Sequence, residues 1–190
     1  MRCFFGLPMP EAYQSNLAVL INDVKPGLRS RISWTRPDNW HLTLKFLGEV
    51  SSEKLESLVG LFQTPLGESF TLQGQGGGFF PDRRRPRVLW VGVGQGMKAV
   101  QDLAAEIDRR CATLGFAPES RPFQPHLTVA RIRQALDDPW ANLLSELRRA
   151  SWPEIRMERI VLWQSRLTPA GPCYQRLAEF ELRPANDPVP

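Results

Sequence analysis

The chain has 190 residues, of which 42% are hydrophobic and 23% charged, a balance typical of a globular protein with enough apolar material for a core. It contains no run of about 18 apolar residues, so composition excludes a helical membrane protein. The net charge of +4 fits an anionic ligand such as nucleic acid, and fits equally well a surface that only aids solubility.

The cysteines and the N-terminal residues indicate the cellular compartment in which the protein is found. Cys3, Cys111 and Cys173 are odd in number and far apart, which indicates neither a zinc knuckle nor a dithiol redox site. Free thiols fit a reducing compartment. Residues 1–10 are too short for the apolar core of a signal peptide and are broken by prolines. We therefore expect a cytoplasmic protein without a membrane segment.

Strands and helices are predicted in an irregular order along the chain. In chain order the pattern predicts a strand in RCFFGLP, a helix in PEAYQSNLAVLINDV, a short strand at 31–34, a strand in HLTLKFLG, a helix with a capping-box spacing in SSEKLESLVGLFQ, strands in SFTLQGQGGGFF and RPRVLWVGVG, a helix in MKAVQDLAAEIDRRCATLG, a strand in HLTVARI, a helix in DDPWANLLSELRRA, and strands in IRMERIVLWQSRL and CYQRLAEFEL across a TPAGPC turn. This order lacks the regular alternation of a doubly wound parallel sheet. We predict an α+β fold with antiparallel sheets.

The only two histidines, His41 and His126, both open the tripeptide His-Leu-Thr and are separated by almost half of the chain. Such a repeat is rare by chance, and its spacing indicates two similar lobes that each contribute one strand. Alternate side chains of a strand share a face. Each histidine is therefore expected beside the threonine two positions later, Thr43 or Thr128, while the intervening leucine anchors the strand in the core.

Strict alternation has further consequences on the first of these strands. It assigns Phe46 to the buried face, together with Leu42 and Leu44. It also sets Lys45 on the face of His41, where it could make a peripheral contact to phosphate.

Two imidazoles and two hydroxyls suit acid–base chemistry on an anion. The ordinary imidazole pKa near 6.5 lets one ring accept a proton while the other donates one, which predicts a bell-shaped pH profile in that range. Hydroxyls can donate hydrogen bonds to phosphoryl oxygens. The motifs thus predict the opening of a phosphodiester, most naturally a strained ribose 2′,3′-cyclic phosphate.

Neither a metal nor an organic cofactor is expected. Two histidines without a carboxylate at ligand spacing do not indicate a metal site. The string VGVGQGMKAV imitates a dinucleotide-binding fingerprint, but the third glycine of G-x-G-x-x-G would fall at Met97.

These motifs and their flanks resemble the 2H phosphoesterase superfamily, and within it the RNA 2′,3′-cyclic phosphodiesterases, historically called 2′-5′ RNA ligases. The resemblance is carried by HLTLKFLGEV, GGGFFPDRRRPRVLWVGV, RPFQPHLTVAR and SRLTPAGPCYQRLAEFEL. It implies a bilobal α+β fold in which two antiparallel sheets flank a cleft, with helices outside. Residues 1–182 would form one catalytic domain with one motif per lobe, and 183–190 a flexible tail.

The resemblance also implies a reaction and its residues. The reaction is metal-independent hydrolysis of the cyclic phosphate of RNA ends or nucleotides to a 2′-phosphomonoester, with His126 as base and His41 as acid. An arginine after the second motif, Arg131, would contact the phosphate or the base. Strict alternation puts Arg131 on the face opposite His126, so the strand is expected to end or twist near Ala130.

The resemblance further implies that an aromatic side chain of the first strand lines the cleft, and alternation with Gly6 favours Phe4 over Phe5. The run Arg83–Arg87 is equally consistent with an RNA contact and with a solvated loop. We expect a monomer.

Two alternatives stay open. Microscopic reversibility allows the same residues to join a cyclic phosphate end to a 5′-hydroxyl, which would make the protein a 2′-5′ RNA ligase. A non-catalytic protein that binds RNA ends is the other alternative, although binding alone would not need a matched acid–base pair.

Overall fold

Strands and helices alternate irregularly through the part of the chain that the computed structural model describes, residues 1–169 and 171–185. The elements are β1 (Arg2–Pro8), α1 (Glu11–Val24), β2 (Arg31–Trp34), β3 (His41–Glu49), α2 (Ser52–Leu61), β4 (Phe70–Leu72), β5 (Gly74–Phe80), β6 (Val88–Val93), α3 (Met97–Thr113), β7 (His126–Gln134), α4 (Trp140–Arg149), β8 (Ile155–Met157), β9 (Arg159–Thr168) and β10 (Gly171–Glu181). The predicted α+β class is confirmed. The predicted TPAGPC turn includes residue 170 and the predicted tail includes 186–190, and these residues lie outside the described ones.

Residues that cap a helix or form a turn mark the start of α2 and the end of α3. The Ser51 hydroxyl accepts a hydrogen bond from the Lys54 backbone N–H and so caps α2. Glu53 lies one position before the one that a capping box requires, so that detail of the prediction is wrong. The chain leaves α3 through Gly115, whose φ of +77° favours glycine. None of the helices described is long and apolar enough to span a membrane.

One antiparallel sheet path runs in the order β10-β9-β1-β3-β7-β6-β5. The path is narrow in the middle, at the joint where β3 meets β7, because these strands pair only at Leu42 and Leu127. Farther along β7, its neighbour on this side is β2 instead of β3. The sheet therefore has two halves, one ending in β3 and one beginning with β7, which meet at this joint. The predicted arrangement of two antiparallel sheets around a cleft is confirmed, with the addition that the two are hydrogen-bonded into one path. β4 and β8 form a separate pair.

The core lies between the sheet and its helices, and α3 packs against β3 while α4 packs against β5. Leu42 and Leu127, the residues that follow the two histidines, are almost fully buried in it. Each buried leucine contributes roughly 1.5 to 3 kcal/mol relative to an exposed one. The buried leucines thus anchor the two histidine strands in the core, on the face opposite the histidines. One apolar cluster extends from Cys3 to Leu182, which fits a single domain over 1–182, and that boundary stays a prediction.

Candidate active site

The histidines lie at the narrow joint of the sheet, on the face that the helices do not cover. The antiparallel pair of Leu42 with Leu127 sets the register there. Continued by one residue in each direction, it places His41 across from Thr128 and His126 across from Thr43. All four side chains are half-buried. The two motifs therefore form one cluster in which each imidazole has a threonine from its own strand and another from the opposite strand.

Both imidazoles are held in the same way. Nδ1 of His41 lies 2.7 Å from the carbonyl oxygen of Asn39, and Nδ1 of His126 lies 2.8 Å from that of Gln124. A carbonyl oxygen only accepts, so Nδ1 carries the proton and donates in both rings. Nε2 is left as the nitrogen for acid–base chemistry. In the neutral His41 ring, Nε2 accepts from the Thr43 hydroxyl at 3.1 Å.

A β-bulge follows the threonine in each motif. In the first, Gly6 of β1 faces Thr43 and Phe5 faces Lys45, so Leu44 is the extra residue. In the second, β6 residues face Thr128 and Ala130, so Val129 is the extra residue. An extra residue reverses the alternation of side chains beyond it. The two strands consequently share one sequence of buried and exposed positions.

The bulge makes two predictions for β3 wrong. Phe46 was expected in the core and is 64% exposed, on the histidine face. Lys45 was expected beside His41 and is buried on the other face, where Nζ pairs with Asp108 of α3 and donates to the carbonyl oxygen of Ala117 at 2.9 Å. Lys45 therefore ties α3 and the following loop to the sheet and does not face the phosphate site.

The second bulge, at Val129 of β7, brings Arg131 to the site. β7 does not end at Ala130 but runs on to Gln134, and the extra residue Val129 returns Arg131 to the face of His126 and Thr128. The Arg131 guanidinium is exposed, and its charge helps to lower the pKa of both histidines. Arg131 is thus the cation that faces the cluster.

Aromatic rings surround His41. The Phe4 ring centroid lies 4.7 Å from it, that of Tyr174 lies 5.0 Å away edge-on, and that of Trp163 lies 5.5 Å away. Phe4 is on the histidine face as predicted, while Phe5 packs on Phe62 in the core. Yet Phe4 is only 2% exposed, so it supports the imidazole from behind. The half-buried Tyr174, which the sequence did not single out, presents its edge to the ring.

His126 has a different aromatic neighbour, a pair of stacked rings. Phe80 and Trp90 stack with centroids 5.2 Å apart, and Phe80 lies edge-on to His126 at 4.9 Å. The indole of Trp90 lies over Gly78, where a Cβ atom would come within 2.4 Å of it. The glycine run before Phe79 and Phe80 was the signal in the sequence that a ring lies flat on this strand.

Burial lowers the pKa of both imidazoles. It lowers the pKa of His41 from 6.5 to about 4, against the hydrogen bond to Asn39, and with smaller contributions from the charges of His126 and Arg131. The pKa of His126 is lowered as well, chiefly by burial and further by Arg131, against its hydrogen bond to Gln124. Both rings are therefore neutral at pH 7 in the free protein. The sequence had predicted one neutral and one charged ring.

The depressed pKa of His41 predicts that the folded protein loses stability in weak acid. In the unfolded chain His41 takes up a proton below about pH 6.5, whereas in the folded protein it stays neutral down to about pH 4. Because the unfolded state binds more protons in this window, the free energy of unfolding falls as the pH falls through it. The slope is about 1.4 kcal/mol per pH unit for each such group. Urea unfolding between pH 7.5 and 5 measures it, above the range in which carboxylates such as Glu106 take up protons. His41→Gln should flatten the dependence, and an unchanged slope would contradict the depressed pKa.

Two surface cavities lie near these elements. One of about 90 Å³ adjoins His41 and is lined by Gln14, Trp163, Tyr174 and Arg176 among others. Another, of about 480 Å³, lies at the turn between β5 and β6, where Arg83 and Arg84 line it. It contains no residue of either His-Leu-Thr motif.

The arginine run between β5 and β6 forms a turn and is solvated, with Pro86 as its one buried residue. Asp82 accepts hydrogen bonds from the backbone N–H groups of Arg84 and Arg85, which fixes the turn. As for metals, residues 1–169 and 171–185 contain no cluster of three His, Cys, Asp or Glu side chains that could hold an ion.

Comparison with known proteins agrees with this geometry. The family LigT like Phosphoesterase matches twice, over residues 7–90 and 91–174, so that each match contains one of the two histidine motifs. A Methanothermobacter thermautotrophicus protein called RNA 2′,3′-cyclic phosphodiesterase is 32% identical over 185 residues, which cover 96% of this chain and 99% of that protein. An Aeropyrum pernix protein of the same name is 38% identical over 145 residues, covering 76% of this chain and 82% of that protein.

Solved structures show the same fold. A Thermus thermophilus protein aligns with a TM-score of 0.82 at 28% identity and covers 98% of this chain and 100% of its own. E. coli LigT in complex with 3′-AMP aligns with a TM-score of 0.71 at 27% identity, covering 95% of this chain and 97% of its own. Two internal matches, each containing a histidine strand, and relatives that match along most of their length leave one conclusion: this chain belongs to the LigT-like phosphoesterase family of the 2H superfamily.

Proposed function

We propose that the protein hydrolyses the 2′,3′-cyclic phosphate of RNA ends or nucleotides to a 2′-phosphomonoester without a metal ion. The main support is the arrangement of five side chains around one point of the sheet. Two imidazoles with Nε2 free of backbone contacts, two threonine hydroxyls and the Arg131 guanidinium share one face at the joint between β3 and β7. Relatives at 29 to 38% identity named RNA 2′,3′-cyclic phosphodiesterase support it.

In the proposed mechanism His126 and His41 move protons in opposite directions. Nε2 of His126 accepts a proton from water, whose oxygen attacks phosphorus. The bond from phosphorus to O3′ breaks, and His41 gives a proton to O3′. The phosphate stays on O2′. The proton gained by His126 then passes to solvent, and His41 takes one up again.

The remaining groups of the site stabilise the charged oxygens. The hydroxyls of Thr43 and Thr128 would donate to the two phosphoryl oxygens, and Arg131 would balance their charge. Since His41 is neutral in the free protein, it must gain its proton when the anion binds. A phosphate close to the imidazole favours the charged ring and so opposes the effect of burial.

Hydrolysis of a 2′,3′-cyclic mononucleotide in excess EDTA tests the proposal. We expect an undiminished rate, because the proposed mechanism uses only side chains. We also expect a 2′-phosphate, because O3′ is the leaving group. Phosphorus NMR against both monophosphate standards identifies the product. A rate lost in EDTA and restored by a divalent ion, or a 3′-phosphate product, would contradict the corresponding part of the mechanism.

We further propose that the protein acts as a monomer in the cytoplasm. All three cysteines are free thiols, two of them buried, which fits a reducing compartment. Size-exclusion chromatography with light scattering tests the oligomeric state.

A further inference from the structure

The face of the second half that carries His126 continues outward as a basic surface. Beyond the Val129 bulge, Arg131 and Arg133 are both exposed on this face. On the neighbouring β2, Ser33 faces Arg131 across the strands and accepts a hydrogen bond from Arg133 Nε at 3.2 Å. Arg31, two residues before Ser33, is exposed as Ser33 is, and the extra residue of the irregular pairing at this point lies on β7 and not on β2, so Arg31 and Ser33 share a face. Arg31 and Arg133 are called the outer arginines below.

These charges have no acidic partners among the residues the structure describes. Neither Arg31, Arg131 nor Arg133 forms an ion pair there, although several other arginines of the chain do. The three strands of this surface, β2, β6 and β7, contain no Asp or Glu. An arginine surface without counter-charge, next to the half-buried rings of Phe80 and Trp90, is the combination that single-stranded nucleic acid binds.

The first half of the sheet offers no such surface beside its histidine. There β9 pairs with β1, and the hairpin of β9 and β10 reaches the start of β3: the Asn39 side chain donates to the Pro172 carbonyl oxygen at 2.7 Å, and the Tyr174 ring packs perpendicular to the His41 ring with centroids 5.0 Å apart. An RNA chain that enters the cleft therefore meets a wall on the His41 side and an open basic surface on the His126 side.

The position of the cyclic phosphate at the end of the RNA determines where the rest of the chain lies. A 2′,3′-cyclic phosphate ends an RNA chain, so every other phosphate of that chain lies on its 5′ side. Arg131 and Arg133 are both exposed and lie two residues apart on β7, where Arg133 is the extra residue of the irregular pairing with β2; the hydrogen bond from Arg133 to Ser33 keeps its side chain on the face of Arg131. Two residues of a strand span about 7 Å. They can thus face successive phosphates of one extended chain.

We propose, on the basis of the proposed function, that the outer arginines Arg31 and Arg133 bind phosphodiesters of the RNA that precedes the cyclic phosphate. The substrates preferred by the site are then single-stranded RNA ends of several nucleotides, and not mononucleotides.

The test compares two substrates at two salt concentrations. One is a 2′,3′-cyclic mononucleotide and the other a pentaribonucleotide that ends in a 2′,3′-cyclic phosphate. We expect kcat/KM to be about tenfold higher for the pentanucleotide in low salt. This preference should shrink as salt rises, because each phosphate contact on a single strand adds about 0.7 to the logarithmic salt slope.

The double variant Arg31→Gln with Arg133→Gln should remove most of that preference, mainly through KM, and leave turnover of the mononucleotide within about twofold. The matched control is Arg148→Gln with Arg149→Gln, which removes two exposed positive charges from α4 on the other side of the sheet. It should change neither substrate. Thermal unfolding checks that both variants fold.

Different results would contradict the role of the outer arginines and the proposed hydrolysis. Equal kcat/KM for both substrates in the unmodified protein, or the same loss from both double variants, overturns the role of the outer arginines while hydrolysis stands. If neither substrate is hydrolysed, the proposed function fails. Fluorescence anisotropy with a labelled pentanucleotide that ends in a 2′-phosphate then tests the arginines alone, and equal affinity of the Arg31/Arg133 variant and the unmodified protein overturns their role.

Discussion

His126→Ala is expected to slow hydrolysis of ribose 2′,3′-cyclic phosphates and of activated diesters alike, whereas His41→Ala is expected to regain activity when the leaving group needs no proton. A positioned general acid or base contributes about 10² to 10⁴ in rate, and each variant should lose that much on a ribose cyclic phosphate. A diester with an activated phenolic leaving group bypasses the acid. It should therefore restore His41→Ala and not His126→Ala. Steady-state kcat/KM on the two substrates measures the difference.

The reverse result would exchange the roles and keep the two-histidine mechanism. The symmetry of the site makes this a real test, because both rings donate through Nδ1 to the carbonyl two residues earlier and differ mainly in their surroundings. The pH profile gives an independent check. Since burial lowers the pKa of both imidazoles, the bell-shaped kcat/KM profile should have its optimum below pH 6.5. A profile with one limb would count against paired acid–base catalysis.

Thr43→Ala and Thr128→Ala are each expected to slow turnover by about 10² to 10³, the usual cost of one lost hydrogen-bond donor to a developing oxyanion. The register at Leu42 and Leu127 places each hydroxyl across from the histidine of the other strand, so both face the space between the two rings. The effect should be on kcat more than on KM, because the donors act on charge that grows in the transition state.

The matched controls are Thr43→Ser and Thr128→Ser, which keep the hydroxyl and should be much milder. Equal damage from alanine and serine would assign the threonines to packing through the methyl group. Thr43 has a second role in the free protein, where its hydroxyl donates to Nε2 of the neutral His41 ring at 3.1 Å. Its alanine variant should shift the limb of the pH profile that belongs to His41, and Thr128→Ala should not.

The two motifs, and the strands that contain them, can be read from the amino-acid sequence alone. The repeat of His-Leu-Thr, at His41 and His126, needs no structure to be seen, and the alternation of a strand suffices to put each threonine beside its histidine. Both are local properties of an extended chain. The flanking strings then carried the resemblance that pointed to Arg131 and Phe4.

The positions at which the alternation of side chains breaks down depend on long-range strand pairing, which the sequence does not reveal. A bulge depends on how a strand pairs with its neighbour, and the extra residues Leu44 and Val129 are visible only against β1 and β6. Strict alternation therefore misplaced Lys45, Phe46 and Arg131 together.

The contact between the two motifs likewise depends on pairing between distant parts of the chain. The pair of Leu42 with Leu127 joins residues from opposite halves of the chain, and no local pattern specifies it. Burial of the two rings, which makes both neutral at pH 7, results from side chains brought by distant strands, among them Tyr174 and Phe80. Desolvation is a property of the assembled surroundings, so the sequence could name the acid–base pair but not its protonation state.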